Sequence, residues 1–591
     1  MAVLIWMWGI VRSVLNGIAK AVVFAVFVVL VLTIIGLASG DGLPGNMVLA
    51  LDLRKGMQDK SAAPLFDLAN PQVSIIDTVF GLDAAGRDPR VKGVFLRVGS
   101  GDLSVAQAEE LRDALKRFKE TGKFVIAHSQ SFYSGGLGDY EVAAAADQIW
   151  MQPASAFFAA GTSSTTLFYK GLFDKINAVP QFVQRYEYKN AANVFTEKDF
   201  TPAHREATGR VLQSWYDSGT AEIAADRKID HAVLVAFLDQ SPATVDEVKT
   251  SGLITAIGYD DEAANAARTK AGAGAQLTPF AQFVQKSRQV HPRAGGPVVA
   301  FVHASGDIVE GDDKGAVGAS TVDVAGDSFA QAIRDATRQA DVKAILVRVD
   351  SPGGSAIASD QILDALKKAH AAGKPIVVSM GSVAASGGYY ISMAADRIVA
   401  EPGTLTGSIG VLWGKVAVGK SLELVGLEGR ELGVGKSALF QSGIEPWDAG
   451  QLAEVNTQAD VVYNDFTHKV AEGRKMPLDR VLEVARGRVW TGADAKDRGL
   501  VDELGGFWTA VADVKQLAKI DPATRVVFRD YPRRKGFIDT VSSLFDNSDA
   551  TVTALTGLNT LMSAAPVKAL IGAMQSTSGG AQLRAVGLPG Q

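Results

Sequence analysis

Two stretches of this chain repeat one another in order. Residues 95–123 contain FLRVGSGD and then DALKRFKETGK, while residues 346–374 contain LVRVDSPGG and then DALKKAHAAGK. Arg97 matches Arg348 and Ala114 matches Ala365 at one constant separation. Further on, AADQIWMQP matches AADRIVAEP, setting Asp147 against Asp396, and SGLI matches RGLV, setting Gly252 against Gly499. Anchors in the same order, with a separation that drifts by only a few residues, require a tandem duplication. The period is far longer than a solenoid repeat, so each copy is a domain with its own core. Whatever differs between the copies then marks chemistry that only one of them keeps.

At 591 residues the chain has room for roughly two to four domains, each able to bury a core. A net charge of −5, with no zinc or nucleic-acid motif, argues against a nucleic-acid partner. Cysteine is absent, which removes disulfides, thiolate metal sites and a cysteine nucleophile together. Seven scattered histidines leave little room for a metal cluster. Ala21 to Ala38 is an 18-residue run without a charge. As a helix it covers roughly 27 Å, about one hydrocarbon core. Arg12 and Lys20 precede it, which places residues 1–20 in the cytoplasm and exports the body. Gly36-Leu37-Ala38 would also suit signal-peptide cleavage, but signal-peptide cores are usually shorter, and the expectation is a retained transmembrane anchor at 21–38.

Beyond the anchor, both copies alternate β-branched runs with helical stripes. In the second, PVVAFVHA, AILVRV and PIVVSM suit buried strands, and SDQILDALKKAHAAG has apolar residues at 362, 363, 366 and 369, a helix ending at Gly373. The pattern predicts an α/β fold of two tandem domains with largely parallel sheets and right-handed crossovers. The N-terminal copy is placed at 41–290 and the C-terminal copy at 291–520, with the Gly- and Ala-rich stretch 271–296 as their junction. Residues 521–591 read as a tail, partly helical and partly disordered.

The copies diverge at two places. Asp350-Ser351-Pro352-Gly353-Gly354 follows a strand, and its glycines let backbone N–H groups face a developing negative charge. Ala384-Ala385-Ser386-Gly387-Gly388-Tyr389 lies between a strand and a helix, the setting of an exposed nucleophile with the Gly387 N–H at a helix N-terminus. In the first copy Leu137 stands opposite Ser386 and Asp102 opposite Gly353. Either motif alone is an ordinary turn or cap. Together, and missing only from the twin, they predict a catalytic serine.

Such a serine needs a base. Neither G-x-S-x-G nor S-x-x-K is present around Ser386, and His128 and His303 have no matched acid close by in the sequence. Lysine remains, able to act once burial lowers its pKa from about 10.4. Lys189 in RYEYKNAANVF and Lys436 in LGVGKSALFQS occupy equivalent positions of the two copies, and both are candidates.

SPGGS, AASGGYYIS and GTLTGSIGV, with VWTGADAKDRGLVDELGG, resemble the signal peptide peptidase A family in its long bacterial form, over roughly residues 20–520. The resemblance implies a Clp/crotonase-like fold in each copy and a Ser–Lys endopeptidase anchored in the cytoplasmic membrane. Its body would face the periplasm and digest cleaved signal peptides and other extended apolar peptides. It also implies a homotetramer, a dyad formed across the two repeats, and no metal or cofactor. On this sequence it makes Ser386 the nucleophile, Lys189 the general base and Ser408 the residue that orients the lysine, with the N–H groups of Gly353 and Gly387 as the oxyanion hole. Short relatives with a single repeat take the lysine from the serine's own domain, at about the position of Lys436, which stays an alternative base. Two other functions fit part of the pattern. A crotonase-type acyl-CoA enzyme would use the same glycines on a thioester enolate without needing Ser386, and a non-catalytic membrane scaffold would need neither.

Overall fold

The computed structural model describes residues 41–60, 73–99, 103–133, 136–290, 295–312, 323–532 and 582–584. The expected anchor at 21–38, and Asp102, lie outside the described residues. Among the described residues no helix is long and apolar enough to cross a membrane.

In the first copy, β1 (Met47–Asp52), β2 (Val91–Val98), β3 (Phe124–Ser129) and β4 (Gln148–Met151) form a parallel sheet in the order β4-β3-β2-β1. Ala256–Ile257 extends it beyond β4, and Gln276–Pro279 beyond β1. Strand β3 is buried at every position because both faces of the sheet are covered. After β5 (Val179–Arg185), the second copy builds the same arrangement from β6 (Val298–Ser305), β7 (Val342–Ser351) and, beyond the short β8 (Gly353–Ser355), β9 (Ile376–Ala385). Arg397–Ala400 and Val527–Tyr531 flank these strands as β4 and Gln276–Pro279 do in the first copy.

Two parts of the organisation differ from what the composition indicated. Most of the expected junction belongs to the first copy: Gln276–Pro279 is a strand and Phe280–Val290 a helix. Phe280, Phe283 and Val284 are buried, and Phe280 and Val284 lie against Gly81 of the helix Ile75–Arg87. Apolar residues at i, i+3 and i+4 make a helical stripe that the surrounding Gly and Ala obscured. Likewise the second copy runs past residue 520, since Val527–Tyr531 completes its sheet.

The copies share part of their interior. One core runs from Leu49, Val94 and Phe280 to Phe301, Leu346 and Phe507, and a second, around Ile333, Val378 and Phe466, lies in the second copy. Phe80 lies edge-on to Phe301, Phe507, Trp508 and Phe528 at the seam. Polar contacts cross the same seam. Helix α1 (Val105–Lys119), opened by a Ser104–Gln107 capping box, presents Glu110 to the second copy. Arg348 on β7 donates to Asp59 Oδ1 at 2.8 Å, Glu110 Oε2 at 2.9 Å and Ser379 Oγ at 2.9 Å. His303 Nε2 meets Asp59 Oδ2 at 2.6 Å, and within the first copy His128 Nδ1 lies 3.5 Å from Asp260. Both histidines therefore have acids that the sequence reading missed, because their partners are remote in the chain. Against the upward push of burial, the Arg348 charge and the His303 hydrogen bond hold the Asp59 carboxyl well below the usual carboxylate range. Arg348→Ala would leave two carboxylates buried without their counter-charge, and a loss of about 3–5 kcal/mol is expected in urea unfolding.

Candidate active site

Strand β9 ends at Ala385 and helix α3 (Gly387–Ser392) begins two residues later; in the first copy the matching helix is α2 (Gly136–Ala144). Ser386 makes the turn between β9 and α3 with φ +56° and ψ −113°, a conformation that costs a non-glycine residue about 1–3 kcal/mol. The Ser386 N–H donates to Gly407 O at 2.8 Å, and its carbonyl accepts the Tyr390 N–H at 2.8 Å. The loop that carries β8 is pressed against this turn. A Cβ on Gly387 would lie 3.0 Å from Gly353 Cα and 2.8 Å from Ser359 Oγ, and one on Gly388 would lie 2.5 Å from Ser351 O. Gly353 has φ +106°, and its N–H donates to Ser351 Oγ at 3.2 Å.

Lys189 arrives from the other copy. Strand β5 pairs antiparallel along its whole length with β10 (Val411–Ala417) of the second copy, from Val179 opposite Ala417 to Arg185 opposite Val411. Arg185 is tied down by Asp460 Oδ1 at 2.5 Å and Asn456 O at 2.8 Å. The chain then turns and delivers Lys189, 1% exposed, into the seam. Its Nζ lies 2.7 Å from Ser386 Oγ, 2.9 Å from Ser408 O and 3.0 Å from Ser408 Oγ. Burial holds the amine well below the usual lysine range.

One assignment of the protons on these atoms readies the serine beside a neutral amine. The Ser408 carbonyl can only accept, so it takes one N–H. The Ser408 hydroxyl lies 3.4 Å from Gly487 O, which accepts its hydrogen and leaves its oxygen to take the second N–H. The remaining lone pair of Nζ then faces the Ser386 hydroxyl hydrogen. Ser408, like Ser386, has a left-handed backbone, φ +50°, and its N–H donates to Arg488 O at 2.7 Å.

Of the residues singled out in the sequence, Ser386, Lys189, Ser408, Gly353 and Gly387 come together. Lys436 does not join them: it is exposed, in a segment where Leu432 and Val434 are 99% and 100% exposed. Leu137 lies buried on α2. Tyr140 on that helix donates to Leu253 O as Tyr389 on α3 donates to Leu500 O, which sets Leu137 opposite Ser386.

Beside the serine lies a slot one strand wide. Gln582–Arg584 occupies it, antiparallel to β8 (Gly353 opposite Arg584) and to β10 (Leu412 opposite Gln582). Sequence reasoning missed this strand, and missed Ser351 as an acceptor for Gly353. It also missed Asp350, although comparing the copies sets it against Gly99.

Peptidase family S49 matches residues 117–274 and 368–521, one stretch in each copy. Protease 4 of Salmonella typhi is 32% identical across 89% of this chain and 88% of its own length. The chloroplastic serine protease SPPA of Arabidopsis thaliana is 30% identical across 82% of this chain and 71% of its own. Among solved structures, a mutant of the 1510-N membrane-bound stomatin-specific protease in complex with a substrate peptide is similar over 42% of this chain and 97% of that one. The identity there is 17% and the TM-score 0.25. The chain belongs to peptidase family S49 and is a serine-type peptidase. Within that family it is of the protease 4, or signal peptide peptidase A, type.

Gly487, with φ +79°, lies so close that any Cβ on it would collide with the backbone of Lys189. Gly487→Ala is therefore expected to push Lys189 off Ser386 and lower kcat by about 100-fold. Gly435→Ala, at a positive φ with nothing within 4 Å, is expected to leave kcat within about 2-fold and serves as the kinetic control.

Proposed function

We propose that Ser386 and Lys189 form a catalytic dyad, and that the protein is an endopeptidase of extended apolar peptides, cleaved signal peptides foremost. The observation that carries this reading is the 2.7 Å approach of a buried amine, held below its usual range, to a strained serine at a strand-to-helix turn. Neutral Lys189 accepts the Ser386 proton as Oγ attacks the scissile carbonyl, while Ser408 fixes the amine. The N–H groups of Gly387 and Gly353 receive the oxyanion, the latter released from its 3.2 Å bond to Ser351. Lys189 then protonates the leaving amine and activates the water that frees the acyl group.

The peptide lies where Gln582–Arg584 lies in this chain, adding a strand between β8 and β10. Residues 21–38 anchor the protein in the cytoplasmic membrane with the body in the periplasm, and four chains associate. The internal symmetry supports association. In the first copy the strand before Lys189 is paired with β10, whereas the matching stretch before Lys436 leaves Leu432 in the open, a surface that the first copy of a neighbouring chain would cover.

The test uses residues 41–591 and a synthetic signal peptide. Ser386→Ala and Lys189→Ala are expected to lose about 10⁴-fold or more in kcat, and Lys436→Ala to keep it. Peptide cleavage surviving Ser386→Ala sinks the dyad, and thioester turnover in that variant would point to the acyl-CoA reading.

Because the base must be neutral, kcat/KM is expected to rise with pH through the lowered lysine pKa, with the protonated, inactive form below it. A flat profile counts against Lys189 as the base. Deleting residues 533–591 empties the slot, and kcat/KM for a short apolar peptide is expected to rise about 3-fold or more, since an intramolecular occupant competes with substrate.

A further inference from the structure

Strand β9 does not reach Ser386 in regular register. Val349 on β7 is opposite Met380, but Ser351, two residues on, is opposite Ala384, four residues on, so β9 carries a bulge at Gly381–Val383. On its other edge β9 pairs with Arg397–Ala400 before the bulge, and from Val383 on, Val383, Ala384 and Ala385 pair with Leu405, Thr406 and Gly407. A bulge bends its strand and re-aims the residues beyond it. Beyond this one stands Ser386.

The polar groups of this bulge are held by specific side chains. Asp350 Oδ1 accepts the Val383 N–H at 3.0 Å, and the Ser382 N–H also points to this carboxylate. Thr404 Oγ1 donates to Gly381 O at 2.8 Å, Thr406 Oγ1 donates to Ala384 O at 2.8 Å, and Ser382 Oγ lies 2.7 Å from Ser104 Oγ at the start of α1. Gly381 packs tightly here, since a Cβ there would lie 3.0 Å from Asp350 Oδ1. Among the described residues the first copy shows no counterpart. Gly99, with φ +108°, replaces Asp350, and a Cβ there would collide with Ser129 Oγ, so no side chain could clamp the neighbouring strand.

We infer that Asp350 is a positioning residue: by accepting the N–H groups of the β9 bulge, its carboxylate joins the strand that leads into the Gly353–Gly354 loop to the strand that delivers Ser386. It sets the distance between nucleophile and oxyanion donors without touching substrate. The inference deepens the dyad reading and rests on it. The charged groups facing Asp350 are Asp59, from the first copy, and Arg348 on its own strand; on the β9 side it meets backbone N–H groups. Burial, with the Asp59 charge, raises this carboxyl to about 7. Ionised at higher pH, it accepts both N–H groups; protonated at lower pH, it keeps one good acceptor oxygen and loosens the bulge.

The experiment compares wild type, Asp350→Asn, Thr404→Val and Ser386→Ala as full-length protein, reading kcat, KM and the pH profile on a signal peptide. Asparagine mimics the protonated acid. Asp350→Asn is expected to lower kcat about 10- to 100-fold with KM within about 2-fold. The acid limb is expected to lose the Asp350 contribution and become shallower in Asp350→Asn than in wild type, and a loss of folding alone would not make that change. Wild-type kcat and slope in Asp350→Asn, with Ser386→Ala dead, overturn the inference and leave the dyad standing. Activity in Ser386→Ala overturns the dyad itself, and the inference with it. If Asp350→Asn does not fold, Thr404→Val decides through the other side of the bulge. A kcat lowered about 3- to 10-fold at constant KM supports the clamp, and unchanged kcat overturns it.

Discussion

An amine kept dry between two halves of one chain is the condition on which the rest of this structure turns. In water, a lysine near neutral pH is a solvated cation with no lone pair to offer. Lys189 is drawn out of water because β5 crosses to the second copy and pairs with β10, and because Gly487 and Gly410 let the backbones approach where any side chain would collide. Two left-handed serines, Ser386 and Ser408, add local strain that only a well-packed surrounding can support. The shared core and the Arg348–Asp59–Glu110 contacts supply that support from both copies.

The duplication has separated duties that began alike. Both copies keep the sheet, the tyrosine that pins the helix after the turn, and the arginine of the second strand. That arginine faces Asp260 within the first copy, whereas in the second it reaches across to Asp59 and Glu110. The first copy has given up the side chains at the turn, with Leu137 and Gly99 where the second has Ser386 and Asp350. It has kept the arm that ends in Lys189. The second copy holds the matching lysine out in solvent.

Much of this was legible in the sequence, for physical reasons. Strand-forming runs such as PIVVSM are buried on both faces and therefore continuous, and the helix ending at Gly373 has a plain stripe of apolar positions. The site residues were legible because one copy acts as a control for the other. What was not legible depends on tertiary contact. The acid partners of His303 and His128 lie far away in the chain, so local inspection found none. The strand at 582–584 reads as polar tail and becomes a strand only by borrowing hydrogen bonds from β8 and β10. The bulge in β9 hides inside an unbroken β-pattern, and only the register against β7 exposes it.

The slot between β8 and β10 has a consequence for selection. Its two rails are main chain, spaced to admit a single strand, so a peptide bound there as proposed would be recognised by its N–H and C=O groups before any side chain. A polypeptide whose backbone is already committed to its own helices or sheets has nothing to offer such a slot. Under the proposed function, admission would be a test of conformation before it is a test of sequence, with a chain recognised by what its backbone has left unpaired.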